Sequence, residues 1–204
     1  MKLLRSLYDW VLELSNHKSG PLALFILAMA ESIFFPIPPD VLLIALAIGS
    51  RRKAFLFGFL CVLGSIIGAV IGYLIGYHAW WSTVGNYSPF AMFFFDHIPG
   101  FTHASFTRIS ELYNQYNFYI IFTAGFTPLP YKVFTLTAGA YAINFPLFII
   151  ASIVSRSTRF LLIAALIWKF GSPIKAIIDK YFNIVAIIFT VLLIGSFVVL
   201  KYLL

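Results

Sequence analysis

Long apolar stretches alternate with short polar segments along the 204 residues of the chain. The stretches at 54–79, 146–169 and 181–203 are long enough for helices that cross a bilayer, which needs about 20 apolar residues. The stretches at 20–50 and 118–143 are each interrupted by prolines, which remove backbone donors and break a helix. The pattern therefore predicts an all-α integral membrane protein with three full transmembrane helices and two Pro-broken helical hairpins.

The two interrupted stretches have related sequences. Their breaks contain Pro36, Pro38 and Pro39 in the first stretch, and Pro128 and Pro130 in the second. Irregular backbone at membrane depth is tolerated only where it is buried in protein or lines a wet cavity. Paired breaks in two halves of a membrane protein are typical of inverted repeats with a substrate site at their interface. We therefore expect two re-entrant hairpins that enter from opposite faces.

The remaining segments are amphipathic or polar. Residues 1–17 carry an apolar stripe, which is typical of an interfacial helix lying on the membrane, although an ordinary packing helix fits the same pattern. Residues 82–117 predict an extramembrane loop that is partly amphipathic helix. Aromatic residues near the ends of apolar stretches predict a belt at the membrane interface; they are Tyr77, Trp80, Trp81 and Trp168.

Composition supports a single membrane domain over residues 1–204. The chain is 61% hydrophobic and 10% charged, its mean hydropathy is +0.96, and soluble domains carry about 25% charged residues. The net charge of +7 would suit nucleic acid, but the basic residues flank apolar stretches, which favours membrane topology and anionic lipid as partner. Because the 82–117 loop has only Arg108, we expect the N-terminus on the opposite, cytoplasmic side.

A ridge of small residues runs along the 54–79 stretch, formed by Gly64, Gly68, Gly72 and Gly76. Small residues four apart allow helices to approach closely. We expect this ridge to pack against a hairpin, with formation of a homo-oligomer as the alternative. The single cysteine, Cys61, excludes a disulfide framework within the chain. The histidines show no HxxxH or HExxH spacing, so we expect no metal site and no cofactor.

Five charged residues lie within apolar stretches: Glu31, Asp40, Lys132, Arg156 and Arg159. Such charges are costly in a bilayer and are functional candidates by default. We hypothesise that Lys132 and the two arginines hold an anionic headgroup, because guanidinium groups suit phosphate. The two acids could exchange protons, since desolvation favours the neutral carboxyl group. The alternative is a set of structural ion pairs, Asp40–Lys132 and Glu31 with an arginine, that fix the hairpins together.

At these residues the chain resembles the DedA family, also called the VTT or SNARE-associated Golgi protein family. The resemblance covers about residues 20–170 and rests on three features: Glu31 ahead of Pro39-Asp40, the glycine-spaced helix Gly64–Gly76, and Phe126-Thr-Pro128 ahead of Ala138-Gly139. Within that family the chain is most similar to the branch with a Pro-Tyr-Lys second break.

The resemblance implies a bacterial inner-membrane protein that translocates an anionic lipid, such as undecaprenyl phosphate or a phospholipid, as a flippase or scramblase driven by the proton motive force. It implies that Glu31 and Asp40 are the essential acids. The family's arginines around the second break are absent, because Gly125 and Tyr131 stand at or beside their places and Lys132 follows one residue later. The alternatives are an intramembrane enzyme acting on lipid phosphate, whose usual motifs are missing, and a non-transporting assembly factor.

Overall fold

The structure is a computed structural model that describes residues 19–33, 38–83, 86–97, 102–116, 118–126, 131–171 and 173. Most of these residues are helical. The elements in chain order are α1 (Gly20–Glu31), α2 (Asp40–Gly49), a 3-10 turn (Arg51–Lys53), α3 (Ala54–Ala79), β1 (Trp81–Thr83), β2 (Asn86–Tyr87), α4 (Pro89–His97), α5 (His103–Tyr116), α6 (Phe118–Phe126), α7 (Tyr131–Ala140) and α8 (Phe145–Phe170). The predicted helices over 1–17 and 181–203 lie outside the described residues, as do Pro36, Pro128 and Pro130.

Among the described residues, two helical segments are long and apolar enough to cross a membrane. They are Arg51–Ala79, with 29 residues, and Phe145–Phe170, with 26, at the positions where the sequence predicts spanning helices. The helices on either side of each proline break are shorter: α1 and α2 have 12 and 10 residues, and α6 and α7 have 9 and 10. None of these four reaches the length of about 20 residues that a bilayer requires.

The chain divides into two compact units. The first unit contains Met1–Gly68 and Arg156–Val185, and its core is built from apolar side chains of α1, α2, the first part of α3 and the last part of α8. Cys61 is fully buried in that core, where a small apolar-like side chain packs well. The second unit contains Ala69–Ser155 and Ala186–Leu204, and its core includes many aromatic side chains.

Glycines on α3 allow close helix approach in each unit. In the first unit, a Cβ on Gly64 or Gly68 would overlap a backbone carbonyl oxygen of α1. In the second, a Cβ on Gly76 would overlap the Leu136 carbonyl of α7, and Gly139 of α7 lies equally close to α3. The glycine ridge therefore packs against helices of the same chain.

The second unit contains a short β-hairpin, so the expectation of a purely helical chain is wrong at this point. Trp81 pairs with Tyr87 across the antiparallel strands, and their rings stack with centroids 4.8 Å apart. Aromatic pairs across strands stabilise a hairpin, and the Trp81 indole N–H also donates to the Ala140 carbonyl at 2.7 Å. The interfacial role predicted for Trp80 is also wrong, because Trp80 is fully buried among aromatic rings.

The end of α8 is fixed within the first unit by Arg51. Its guanidinium group donates to the carbonyl oxygens of Trp168 at 2.6 Å and Lys169 at 3.1 Å. These carbonyls have no partner within the helix, and a cation is favourable at a helix C-terminus. Gly171 follows with a φ of +53°, the left-handed conformation that commonly ends a helix and that glycine adopts without strain.

Candidate functional site

Four of the five charged residues predicted from the sequence meet in the first unit. Glu31 is the last residue of α1 and Asp40 is the first residue of α2, so the proline-containing break separates two acids at facing helix ends. Arg156 and Arg159 are three residues apart on α8 and therefore share a face. We call these four residues the charged quartet.

Each arginine of the charged quartet is bound to one acid. Arg156 Nη2 lies 3.3 Å from Glu31 Oε2. Arg159 makes two contacts with Asp40, from Nη2 to Oδ2 at 2.7 Å and from Nε to Oδ1 at 3.1 Å. Two parallel N–H···O bonds give a stronger and more directional pair than one long contact. In this geometry Asp40–Arg159 is the tighter of the two pairs.

These pairs are largely removed from the surface of the molecule. The Arg156 side chain is 2% exposed and its partner Glu31 is 16% exposed, while Arg159 and Asp40 are 15% and 16% exposed. Removing one partner of a buried pair typically costs about 3–5 kcal/mol, because the remaining charge is left uncompensated. The pairing of Glu31 with an arginine, which the ion-pair alternative predicted, is therefore present.

The helix dipoles act in opposite senses on the two acids. Asp40 lies in the first turn of α2, where the helix dipole favours a negative charge. Glu31 closes α1, where the same dipole disfavours a negative charge. Together with its longer contact of 3.3 Å, this position makes Glu31–Arg156 the weaker of the two pairs.

Neutral polar and aromatic groups surround the charged quartet. The buried Ser32 hydroxyl lies 2.8 Å from the Ser65 hydroxyl of α3 and 3.4 Å from Glu31 Oε2. The Phe160 ring lies 5.8 Å from Arg156 Cζ and 6.0 Å from Arg159 Cζ, within the range of a cation–π interaction. These three residues were not predicted, although Ser65 stands out as a polar residue beside Gly64 in an otherwise apolar stretch.

The structure assigns Asp40 a different partner from the one named in the ion-pair hypothesis. That hypothesis paired Asp40 with Lys132, whereas the structure pairs it with Arg159. Lys132 is the second residue of α7 and is half-buried in the second unit. Of the predicted breaks, Pro38 and Pro39 are described, and Pro39 immediately precedes α2 and accepts a hydrogen bond from Leu43 at 2.9 Å.

In the part of the chain that the structure describes, the architecture is mostly helical, with two segments long and apolar enough to cross a membrane and four charged side chains paired among apolar helices. The chain is 34% identical over 203 residues to an uncharacterized protein of Haemophilus influenzae, covering 98% of this chain and 100% of that protein. It is 36% identical over 189 residues to an uncharacterized HI0703 homolog of Histophilus somni, covering 88% and 91%. The chain belongs to the family of these HI0703 homologues. No family model matches it, and no solved structure matches it.

Proposed function

We propose that this protein is a bacterial inner-membrane transporter that moves an anionic lipid between leaflets, coupled to protons, and that it is not an enzyme. The observation that carries the proposal is the charged quartet, in which two arginines and two acids are held among apolar helices. Charges in such surroundings typically mark ion pathways, proton relays or ligand sites. The resemblance to the DedA family supplies the class of cargo, undecaprenyl phosphate or a phospholipid.

A membrane setting is supported by the outer faces of the two long helices. On α3, Phe59 is 53% exposed and Leu63 is 40% exposed, and on α8 Ile150 is 56% exposed. Large apolar side chains exposed in this number along a helix are rare on soluble monomers and mark contact with lipid or protein. The basic ends of the same helices, with Arg51, Arg52, Lys53 and Lys169, fit the cytoplasmic side.

The short helices support the proposed re-entrant hairpins. At a rise of 1.5 Å per residue, α1 and α2 would extend about 18 and 15 Å, against a hydrocarbon thickness of about 30 Å. The proposal includes opposed hairpins at 20–50 and 118–143 and a third span at 181–203. Single cysteines at Ile37 and Leu129 test it: a membrane-impermeant thiol reagent should reach them from opposite sides, and labelling of both from one side would refute the inverted repeat.

The ion pairs suggest how protons and an anionic headgroup would be coupled. Each guanidinium group is held by a carboxylate, so a lipid phosphate must compete with that carboxylate for the same donors. Protonation of Glu31 from the aqueous phase would remove its charge and weaken its hold on Arg156, whose guanidinium group could then bind the phosphate. Loss of that proton would restore the pair and expel the headgroup. The Asp40–Arg159 pair, with its two contacts, would stay closed and hold α2 against α8.

Reconstitution into liposomes tests this function. Fluorescent phosphatidylglycerol and a fluorescent polyprenyl phosphate would be followed by quenching of the outer leaflet, with and without a pH gradient. We expect transbilayer movement by the wild type and its loss in Glu31→Gln and Arg156→Ala. The matched control is Glu111→Gln, because Glu111 pairs with Arg108 at the exposed surface and should be dispensable. Equal activity in all four proteins would refute the site.

A purely structural role for the quartet is the main competitor, and binding measurements separate the two. Phosphatidylglycerol is a suitable ligand because its phosphodiester carries one negative charge. Competition predicts that Glu31→Gln, which lacks the competing carboxylate, binds it more tightly than the wild type. Weaker binding by Glu31→Gln would contradict the competition between Glu31 and the phosphate for Arg156, but not the transport proposal. Absence of binding by every variant would contradict the transport proposal.

A further inference from the structure

Helix α4 presents an apolar face to its surroundings. Phe93 is 55% exposed, Met92 is 40% exposed and Phe90 is 36% exposed, while Ala91 on the opposite side is fully buried. Asp96 is the charged residue on the exposed face. Exposed apolar surface of this size on a nine-residue helix is unfavourable in water and indicates an apolar partner.

The start of α4 is attached to the end of α3. The Ser88 backbone N–H donates to the Trp80 carbonyl at 3.0 Å, and the Ser88 hydroxyl donates to the Ala79 carbonyl. The same hydroxyl accepts from the Ala91 N–H at 3.2 Å, which makes Ser88 the N-cap of α4. Helix α4 therefore begins at the level where α3 ends.

The buried Trp80 ring fixes the orientation of α4. Its centroid lies 6.2 Å from that of Phe90, 5.8 Å from that of Phe94 and 5.7 Å from that of Phe95, distances typical of edge-to-face aromatic contacts. Because Phe95 lies on the opposite side of α4 from Phe93, and Phe90 lies at the edge of the exposed face, these contacts hold the side with Phe93 outward. The apolar face is thus a fixed feature of the second unit.

We propose that α4 is an interfacial helix whose exposed face inserts into the lipid at the end of α3. The proposal rests on α3 crossing the membrane, as the proposed function requires. Leu74 and Tyr77 of α3 are also exposed, so the apolar surface of the span continues up to the point where α4 starts. Phenylalanine side chains of interfacial helices typically enter about 5–10 Å into the headgroup and acyl boundary. The 82–117 segment would then include a membrane-bound part.

Site-directed spin labelling in lipid nanodiscs tests this placement. The background is Cys61→Ala, which removes the single cysteine, and nitroxides are attached at Phe93→Cys or Phe90→Cys. Leu74→Cys on α3 is the lipid-exposed reference and Arg108→Cys, exposed on α5, is the aqueous reference. Collisions with oxygen and with a water-soluble nickel chelate are measured for each label.

We expect labels at Phe93 and Phe90 to resemble Leu74, with oxygen accessibility high and nickel accessibility several-fold below that at Arg108. Nickel accessibility equal to that at Arg108 would overturn the proposal, and so would low accessibility to both reagents, which indicates a protein partner or a second copy. If Leu74 is also aqueous, α3 does not span the membrane and the transport proposal fails with it. Labels at two positions keep the test informative if one variant does not fold.

Discussion

Replacing Gly68 by alanine should destabilise the first unit by forcing α1 away from α3. A Cβ at this position would overlap the Met29 carbonyl oxygen and would lie 2.9 Å from Ser32 Cβ and 3.0 Å from the Met29 carbonyl carbon. Two of these three neighbours are backbone atoms of α1, which cannot rotate away as a flexible side chain can. The helices must therefore separate.

The size of the effect follows from these distances. Carbon atoms pack best about 3.5–4.0 Å apart, so the 2.9 Å contact with Ser32 requires a displacement of at least about 0.6 Å. Overpacking of this kind typically costs about 1–3 kcal/mol, and alanine regains up to about 1 kcal/mol of helix propensity relative to glycine. Because the overlap is with a backbone oxygen that cannot move aside, we expect the cost at its upper end and a net loss of about 2 kcal/mol for Gly68→Ala.

The buried thiol of Cys61 provides the assay. As the single cysteine of the chain, it lies in the core of the same unit, so a fluorogenic maleimide should react with it only on unfolding. Thermal ramps in detergent would compare the wild type, Gly68→Ala and Gly49→Ala. Gly49 is the matched control, since nothing lies within 4 Å of a Cβ placed there, and its replacement should leave the melting temperature unchanged or raise it.

The outcome that refutes the close approach is equally specific. If Gly68→Ala melts at the wild-type temperature while Gly49→Ala also does, the backbone contact between α1 and α3 does not exist in the folded protein. If both variants melt lower, the cost does not come from that contact, because Gly49 has no neighbour to displace.

Three further predictions concern polar groups, and each is read from thermal unfolding in detergent. Arg156→Ala should lose about 3–5 kcal/mol, and adding Glu31→Gln should recover much of that loss; no recovery would contradict the ion pair. Arg51→Ala should lose about 1 kcal/mol by uncapping α8, whereas the exposed neighbour Arg52→Ala should not. Burial raises the pKa of Tyr113 well above its usual value. The free energy that the neutral phenol contributes to folding is therefore fully present below about pH 10 and is lost as the pH rises further. In Tyr113→Phe, the free energy of unfolding should fall less at alkaline pH than in the wild type.

The local parts of this architecture could be predicted from the sequence. Helix α3 covers Ala54–Ala79, as expected for an uninterrupted apolar stretch that is long enough to span a bilayer as a helix. Prolines ahead of Asp40 mark the start of α2, because proline breaks a helix that precedes it but is tolerated at a helix start. The burial of the Arg156 side chain within the protein could also be predicted, because a charge that faces lipid is costly.

The pairings could not be predicted in the same way. Glu31 could have bound either arginine, and the ion-pair alternative placed Asp40 beside Lys132, because the sequence carries charges but no distances between remote helices. The Ser32–Ser65 contact and the capping of α8 by Arg51 depend on how helices cross, which periodicity does not encode. The β-hairpin was missed because Trp81 and Tyr87 stabilise it through a cross-strand ring contact within a segment too short to show alternation.

The order in which the chain is made has a consequence for the charged quartet. Its ion pairs join residues 125 and 119 positions apart. At a synthesis rate of about 5–20 residues per second, Glu31 leaves the ribosome about 6–25 s before Arg156. In the membrane setting proposed above, Glu31 and Asp40 would lack their arginine partners until α8 has been made. A nascent chain that stops before Arg156 should fail to keep its first hairpin inserted, which makes assembly of this protein dependent on its last third.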